Sequence, residues 1–181
     1  MPLRESPSQT AGPYVHIGCT PQIAGLDQRE MGSQLGTTMV SEGRDSLTLC
    51  IKLLDGDDAP VKDALIEIWQ ADPSGNYTPS DTFRNWGRQA SDLSTGIARF
   101  ETLKPGRNGD QAPHILVWLV ARGINLGLTT RIYFPDEDNT SDPVFALAGA
   151  RADTLIATQT VDGFEHIIRL QGGNETVFFD V

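Results

Sequence analysis

Leu47-Thr48-Leu49-Cys50-Ile51-Lys52-Leu53 is the stretch that decides the fold. Apolar residues at every second position alternate with Thr48, Cys50 and Lys52, the period of a strand with one buried and one wetter face. Asp55-Gly56-Asp57-Asp58-Ala59-Pro60 then stops the strand with residues whose backbone and side chains favour turns. Outward from there, Ala64–Trp69, Ile97–Leu103, His114–Ala121, Leu128–Phe134, Thr154–Thr160, His166–Leu170 and Thr176–Phe179 read as further strands. Eight short strands divided by Gly, Pro and Asp predict an all-β chain, an antiparallel β-sandwich. One short helix is predicted, with Ser141 as its N-cap ahead of Asp142-Pro143 and the apolar run Val144, Phe145, Leu147 and Ala148.

Residues 1–45 differ from the rest: they are rich in Pro, Gly, Ser, Thr and Gln, with one helical possibility near Leu26 to Leu35. Such a segment cannot bury itself, so it reads as an extended N-terminal arm that packs on a partner subunit, with residues 46–181 forming the sandwich. The chain has 14 Lys and Arg against 24 Asp and Glu, a net charge of −10 that repels nucleic acid and anionic membrane surfaces. Cys19 and Cys50 have no metal-like spacing and read as free thiols of a reducing compartment. The N-terminus lacks the apolar stretch of a signal peptide, and the apolar run Ile115 to Ala121 is too short to span a bilayer, so a cytoplasmic location is expected. Phosphate-binding glycine loops and a Gly-x-Ser-x-Gly nucleophile elbow are missing from the sequence. Asp136-Glu137-Asp138-Asn139 lacks the ligand spacing of a calcium loop and reads as a solvated turn.

Ile66-Glu67-Ile68-Trp69-Gln70-Ala71-Asp72-Pro73-Ser74-Gly75-Asn76-Tyr77 is a strand running into a turn, with Tyr77 just beyond the glycine. It resembles the signature of the intradiol ring-cleavage dioxygenases. Thr102-Leu103-Lys104-Pro105-Gly106 is similar to the connector of that family, and Ala112-Pro113-His114-Ile115-Leu116 to its histidine-bearing strand. Ser6-Pro7-Ser8-Gln9-Thr10-Ala11-Gly12-Pro13-Tyr14 and Glu175-Thr176-Val177-Phe178-Phe179-Asp180 resemble the arm and the C-terminus of its two-chain members, which act on protocatechuate.

The resemblance implies a non-haem Fe(III) held by two tyrosines and two histidines, a hard-acid site in which phenolates stabilise the ferric state. Tyr77 and His114 fall on two of these positions. A strand places i and i+2 on one face, so the second histidine belongs at Leu116, which has no lone pair to give. Pro105-Gly106-Arg107-Asn108-Gly109-Asp110-Gln111, where the second tyrosine is due, contains none, and the only other tyrosines are Tyr14 and Tyr133. Tyr77 and His114 are therefore read as vestigial, and this chain is expected to bind no iron.

In the two-chain members an iron-free alpha chain pairs with a homologous iron-bearing beta chain, and the active site lies between them. On that resemblance the complex cleaves protocatechuate with O₂ to 3-carboxy-cis,cis-muconate. Thr10, Gly12, Pro13, Tyr14 and Arg131 of this chain are then expected to line the pocket. Arg131 has an independent argument: it shares a strand face with Thr129 and Tyr133, away from Ile132 and Phe134, and a guanidinium there suits a carboxylate. The rival readings are a scaffold with no part in the active site, and a free-standing enzyme in which His16 or His166 replaces the lost ligand.

Overall fold

The structure is a computed structural model that describes residues 10–21, 23, 36–41 and 45–180. A short helix α1 (Pro13–Cys19) precedes β1 (Leu47–Leu54), β2 (Leu65–Gln70), β3 (Trp86–Ala90), β4 (Ile97–Thr102), β5 (His114–Val120) and β6 (Leu128–Tyr133). Helix α2 (Pro143–Leu147), a 3₁₀ turn (Gly149–Leu155), β7 (Thr158–Gln159) and β8 (Gly163–Arg169) follow. The strands form two four-stranded sheets, in the orders β4-β1-β8-β7 and β3-β2-β5-β6.

The alternation that opened the reading is realised in β1: Leu49, Ile51 and Leu53 are fully buried, and Thr48, Cys50 and Lys52 face outward, half-exposed. Ile66 and Ile68 of β2, Ile115, Val117 and Leu119 of β5, and Ile132 of β6 meet them from the other sheet in one core. The predicted sandwich is thus present, with one parallel pair, β1 against β8, where Ile51 stands opposite His166. Parallel neighbours need a crossover connection, which the long path from one sheet to the other supplies.

Several boundaries differ from expectation. The N-cap of α2 is Asp142 rather than Ser141, because the Asp142 carboxylate accepts from the Val144 and Phe145 N–H groups. Most of the apolar stretch from Thr154 onward is spent on the end of the 3₁₀ turn, leaving only Thr158 and Gln159 as strand. Thr176 to Phe179 belongs to no strand; its backbone is tied singly, to Arg169 and Thr129 and through the Thr130 and Thr154 hydroxyls. Strand β3 has no period-two signal, since its one buried residue is a glycine. A side chain at Gly87 would collide with Met39 and Phe100, so close packing requires glycine there. The arm, read as extended, contains α1, started by Pro13 at its first turn. The helical possibility near Leu26 to Leu35 lies outside the described residues.

A second, smaller core covers the outer face of β6. Tyr133, Ala112, Leu155 and Val177 are buried there, with Phe145 packed against them. Helix α2, the 3₁₀ turn and the C-terminal segment therefore form a third layer over one edge of the sandwich.

His166 is buried in this fold, and neither ring nitrogen has a hydrogen-bond partner of ordinary geometry. Burial pushes its pKa down to about 4, with the Ile156 backbone acting weakly the other way. The unfolded chain takes up a proton near the ordinary histidine value of about 6.5, which the folded chain refuses. Stability should thus fall as the pH drops from about 6.5 toward 4, by roughly 3 kcal/mol in all. Urea midpoints measured across that range check this, and His166→Phe should flatten the histidine-dependent part of the slope.

Candidate functional site

Strand β5 has two faces. Ile115, Val117 and Leu119 enter the main core, and His114, Leu116 and Trp118 point the other way. In register with β6, His114 stands opposite Tyr133 and Leu116 opposite Arg131; on the other side Leu116 faces Trp69 of β2. The turn after β2 brings in Tyr77. It is held by Asp72, whose carboxylate accepts from the Ser74 and Asn76 N–H groups at 2.8 and 2.9 Å. Gly75 in this turn has φ +83, and a side chain on it would strike the Arg107 carbonyl, so the turn and the Pro105–Gln111 connector meet backbone to backbone.

The Tyr77 hydroxyl lies 3.4 Å from His114 Nε2, and His114 Nδ1 donates to the Ala112 carbonyl at 2.8 Å. That second bond fixes the tautomer, leaving Nε2 to accept from the phenol. Burial lowers the His114 pKa, so the ring is neutral near pH 7. Burial raises the Tyr77 pKa, with the Arg131 charge opposing. Its ring runs nearly parallel to Trp69, 6.5 Å between centroids.

Beside this pair, Arg131 Nη1 donates to Gln111 Oε1 at 2.9 Å and to the Tyr133 hydroxyl at 3.3 Å, and lies 3.9 Å from the Asp142 carboxylate. Asp142 is fully buried; it accepts from the Ala112 N–H at 2.9 Å and caps α2 through its other oxygen at 2.7 and 3.1 Å. Burial pushes the Tyr133 hydroxyl up to about 12 even with Arg131 against it. The sequence expectation that Arg131 and Tyr133 share a face is met, and the acidic group facing Arg131 is this chain's own Asp142. The connector without a tyrosine delivers Gln111 to the same cluster. Nε and Nη2 of Arg131 have no partner among the described residues.

The arm residues lie elsewhere. Thr10 Oγ1 accepts from the Gly123 N–H at 2.6 Å and reaches the Ala121 carbonyl at 3.5 Å, just past the far end of β5. His16 Nε2 is 3.0 Å from the Asp63 carbonyl. Gly12 caps α1, which Pro13 begins, and Tyr14 projects from that helix 85% exposed. A cavity of about 380 Å³ opens beneath the arm, lined by Gly12, His16, Ile17, Asp63 and Arg122 among others. Leu116, opposite Arg131, and Ala121, beside Thr10, are five strand residues apart, about 17 Å. One catechol cannot touch both groups on a single copy of the chain. The cation beside the arm is Arg122, 80% exposed and paired with Asp63 at 3.0 Å. Sequence reasoning missed it; its one signal is an arginine directly after a strand and before Gly123, where the chain must reverse.

The fold is that of the intradiol ring-cleavage dioxygenases. A member from Tetranychus urticae superposes with a TM-score of 0.59 at 22% identity, covering 74% of this chain and 83% of that one. Catechol 1,2-dioxygenase from Pseudomonas arvilla C-1 gives 0.53 at 19% identity, over 77% and 58% of the two chains. No family model matches the sequence. Full-length relatives do: the protocatechuate 3,4-dioxygenase alpha chain of Pseudomonas putida is 40% identical, covering 98% of this chain and 97% of that one. The alpha chain of Burkholderia cepacia is 37% identical over 99% and 98%. The beta chain from the same organism is 31% identical over 80% of this chain and 69% of its own. This chain belongs to the protocatechuate 3,4-dioxygenase alpha-chain family.

Asp142→Ala should remove the α2 cap and leave the Ala112 N–H unpaired, costing about 3 kcal/mol. Asp142→Asn keeps an acceptor and should cost less. Urea unfolding of the two variants measures the difference.

Proposed function

We propose that this chain is the iron-free alpha subunit of an alpha–beta protocatechuate 3,4-dioxygenase, completing a pocket whose Fe(III) is held by the homologous beta subunit. The observation that carries the reading is the state of the family's ligand positions here. Tyr77 and His114 face each other, Leu116 offers no lone pair, and the Pro105–Gln111 connector gives a glutamine to Arg131 rather than a phenol to a metal. A ferric site needs phenolates, and burial raises the pKa of both nearby tyrosines. A guanidinium within the cluster adds positive charge where a cation would have to enter. Among the described residues no group of three or more His, Cys, Asp or Glu gathers as an alternative site. The residues present do not fit Fe(III).

What this chain supplies is surface. Tyr14 projects from α1 and Ile17, three residues on, is part-exposed at the mouth of the arm cavity, so this helix can insert into a partner. Thr10, Gly12, Pro13 and Tyr14 with Arg122 then border the partner's pocket, where the Arg122 guanidinium meets a substrate carboxylate. The ferric iron, when bound in the beta subunit, makes the catechol ring reactive toward O₂; the arm's part is to orient the ring and exclude water. Arg131, with Nε and Nη2 unpaired among the described residues, is the second cation able to take a carboxylate. In this reading the two arginines, toward opposite ends of β5, serve different sites of the assembly. A cytoplasmic location remains part of this reading.

The chain purified alone and incubated aerobically with Fe(III) should remain colourless and iron-free. A stoichiometric centre with a tyrosinate charge-transfer band would make it a catalyst in its own right. In the alpha–beta complex, Arg122→Ala should raise the KM for protocatechuate roughly tenfold, the loss of about 1.4 kcal/mol of carboxylate binding. An unchanged KM with Arg122→Ala, Arg131→Ala and Tyr14→Ala would leave only the scaffold reading, and a changed KM with Arg131→Ala alone would place the substrate at the other end of β5.

A further inference from the structure

Arg122 is fixed at its backbone and loose at its head. It stands at the corner of a tight turn, in which the Ala121 carbonyl accepts from the Ile124 N–H at 3.1 Å and Gly123 has φ +90. Thr10 holds the residues on both sides of it, accepting from the Gly123 N–H at 2.6 Å and reaching the Ala121 carbonyl at 3.5 Å. The side chain has a single partner among the described residues. Its Nε lies 3.0 Å from Asp63 Oδ2, and the two Nη groups, the fork that matches a carboxylate, are unpaired. Asp63 has a second hold. Its carbonyl accepts from His16 Nε2 at 3.0 Å, which leaves His16 Nδ1 to accept from the Thr20 hydroxyl at 3.2 Å. One residue thus meets the seated arm through its backbone and the arginine through its carboxylate, and both Asp63 and Arg122 line the arm cavity.

Two effects of Asp63 on an anion at Arg122 oppose each other. As a like charge it repels the anion. As an anchor it removes in advance the rotamer freedom that the arginine would otherwise lose on binding. Arg122 is 80% exposed, so water and salt screen the repulsion, whereas the ordering of a long flexible side chain is not screened. The anchor outweighs the charge. We propose that Asp63 is a positioning residue of the arm pocket: it aims the Nη fork of Arg122 at the substrate carboxylate and, through His16, makes that aim depend on the seated arm. This rests on the reading that Arg122 borders the pocket, and it adds a specificity, because only a catechol that carries a carboxylate feels Asp63.

Steady-state kinetics on the assembled alpha–beta complex test it. Asp63→Asn should raise the KM for protocatechuate about threefold, the worth of one exposed ion pair, with kcat unchanged. Asp63→Glu keeps the charge and should recover most of that loss. The inhibition constant of catechol, which has no carboxylate, should move in neither variant. In the Arg122→Ala background Asp63→Asn should add nothing, since the two residues act as a unit. His16→Ala should raise the KM in the same direction, and His16→Gln, which keeps an N–H donor, should raise it less. A KM that falls or stays with Asp63→Asn while Arg122→Ala raises it overturns the positioning role and leaves the pocket reading standing. An unchanged KM with Arg122→Ala removes both. A rise with Asp63→Asn that persists in the Arg122→Ala background, or that catechol shares, makes Asp63 a structural residue alone and also overturns the proposal.

Discussion

A carboxylate sealed from water must find its donors inside the protein, and Asp142 is where this molecule meets that demand. One oxygen caps α2; the other takes the Ala112 N–H at the entrance to β5 and faces Arg131 on β6. Three segments distant in sequence are thereby fixed to one point. Without it the third layer would have no polar anchor on the outer face of β6, and Tyr133 would lose the cover that keeps it buried beneath Phe145. The neutral His114, the unionised Tyr133 and the placement of Arg131 all follow from that covered face.

The cluster around Asp142 lies on the face of β5 where the family resemblance expects a ligand site. The pleat of β5 still turns His114 and residue 116 to the same side, and the Asp72 turn still aims Tyr77 at His114. A leucine at the second position and a tyrosine-free connector are enough to break the donor set. Arg131, largely buried, is held through Nη1 by Gln111, Tyr133 and Asp142. A guanidinium costs less to keep in such a place when an acidic group faces it.

The two ends of β5 therefore have different tasks. One end carries the Asp142 cluster; the other carries the loops on which Thr10 and His16 seat the arm. Tyr14 and Arg122 are both exposed at that second end. The relationship to both alpha and beta chains implies an alpha–beta hetero-oligomer of homologous chains.

The sandwich was legible from β1 outward, since a two-residue period needs no knowledge of neighbours: Leu49, Ile51 and Leu53 are buried as their alternation requires. That Leu116 shares the face of His114 was equally legible, because i and i+2 share a face in any strand. Strand β3 was not, as Gly87 carries no hydrophobic signal and its place is set by Met39 and Phe100. The cap of α2 was misassigned by one residue, because Ser141 and Asp142 are both good caps in isolation and only the Ala112 and Arg131 contacts select the aspartate. Arg131 was grouped with the arm on resemblance, and the strand register places them at opposite ends of β5. By itself the sequence determined the alternation of β1, the residue types at the family's ligand positions and the acidic balance, all properties of residues and their near neighbours. Which cation stands beside the arm and which acid caps the helix were decided by the tertiary structure alone, because each depends on distances between segments that the chain order does not contain.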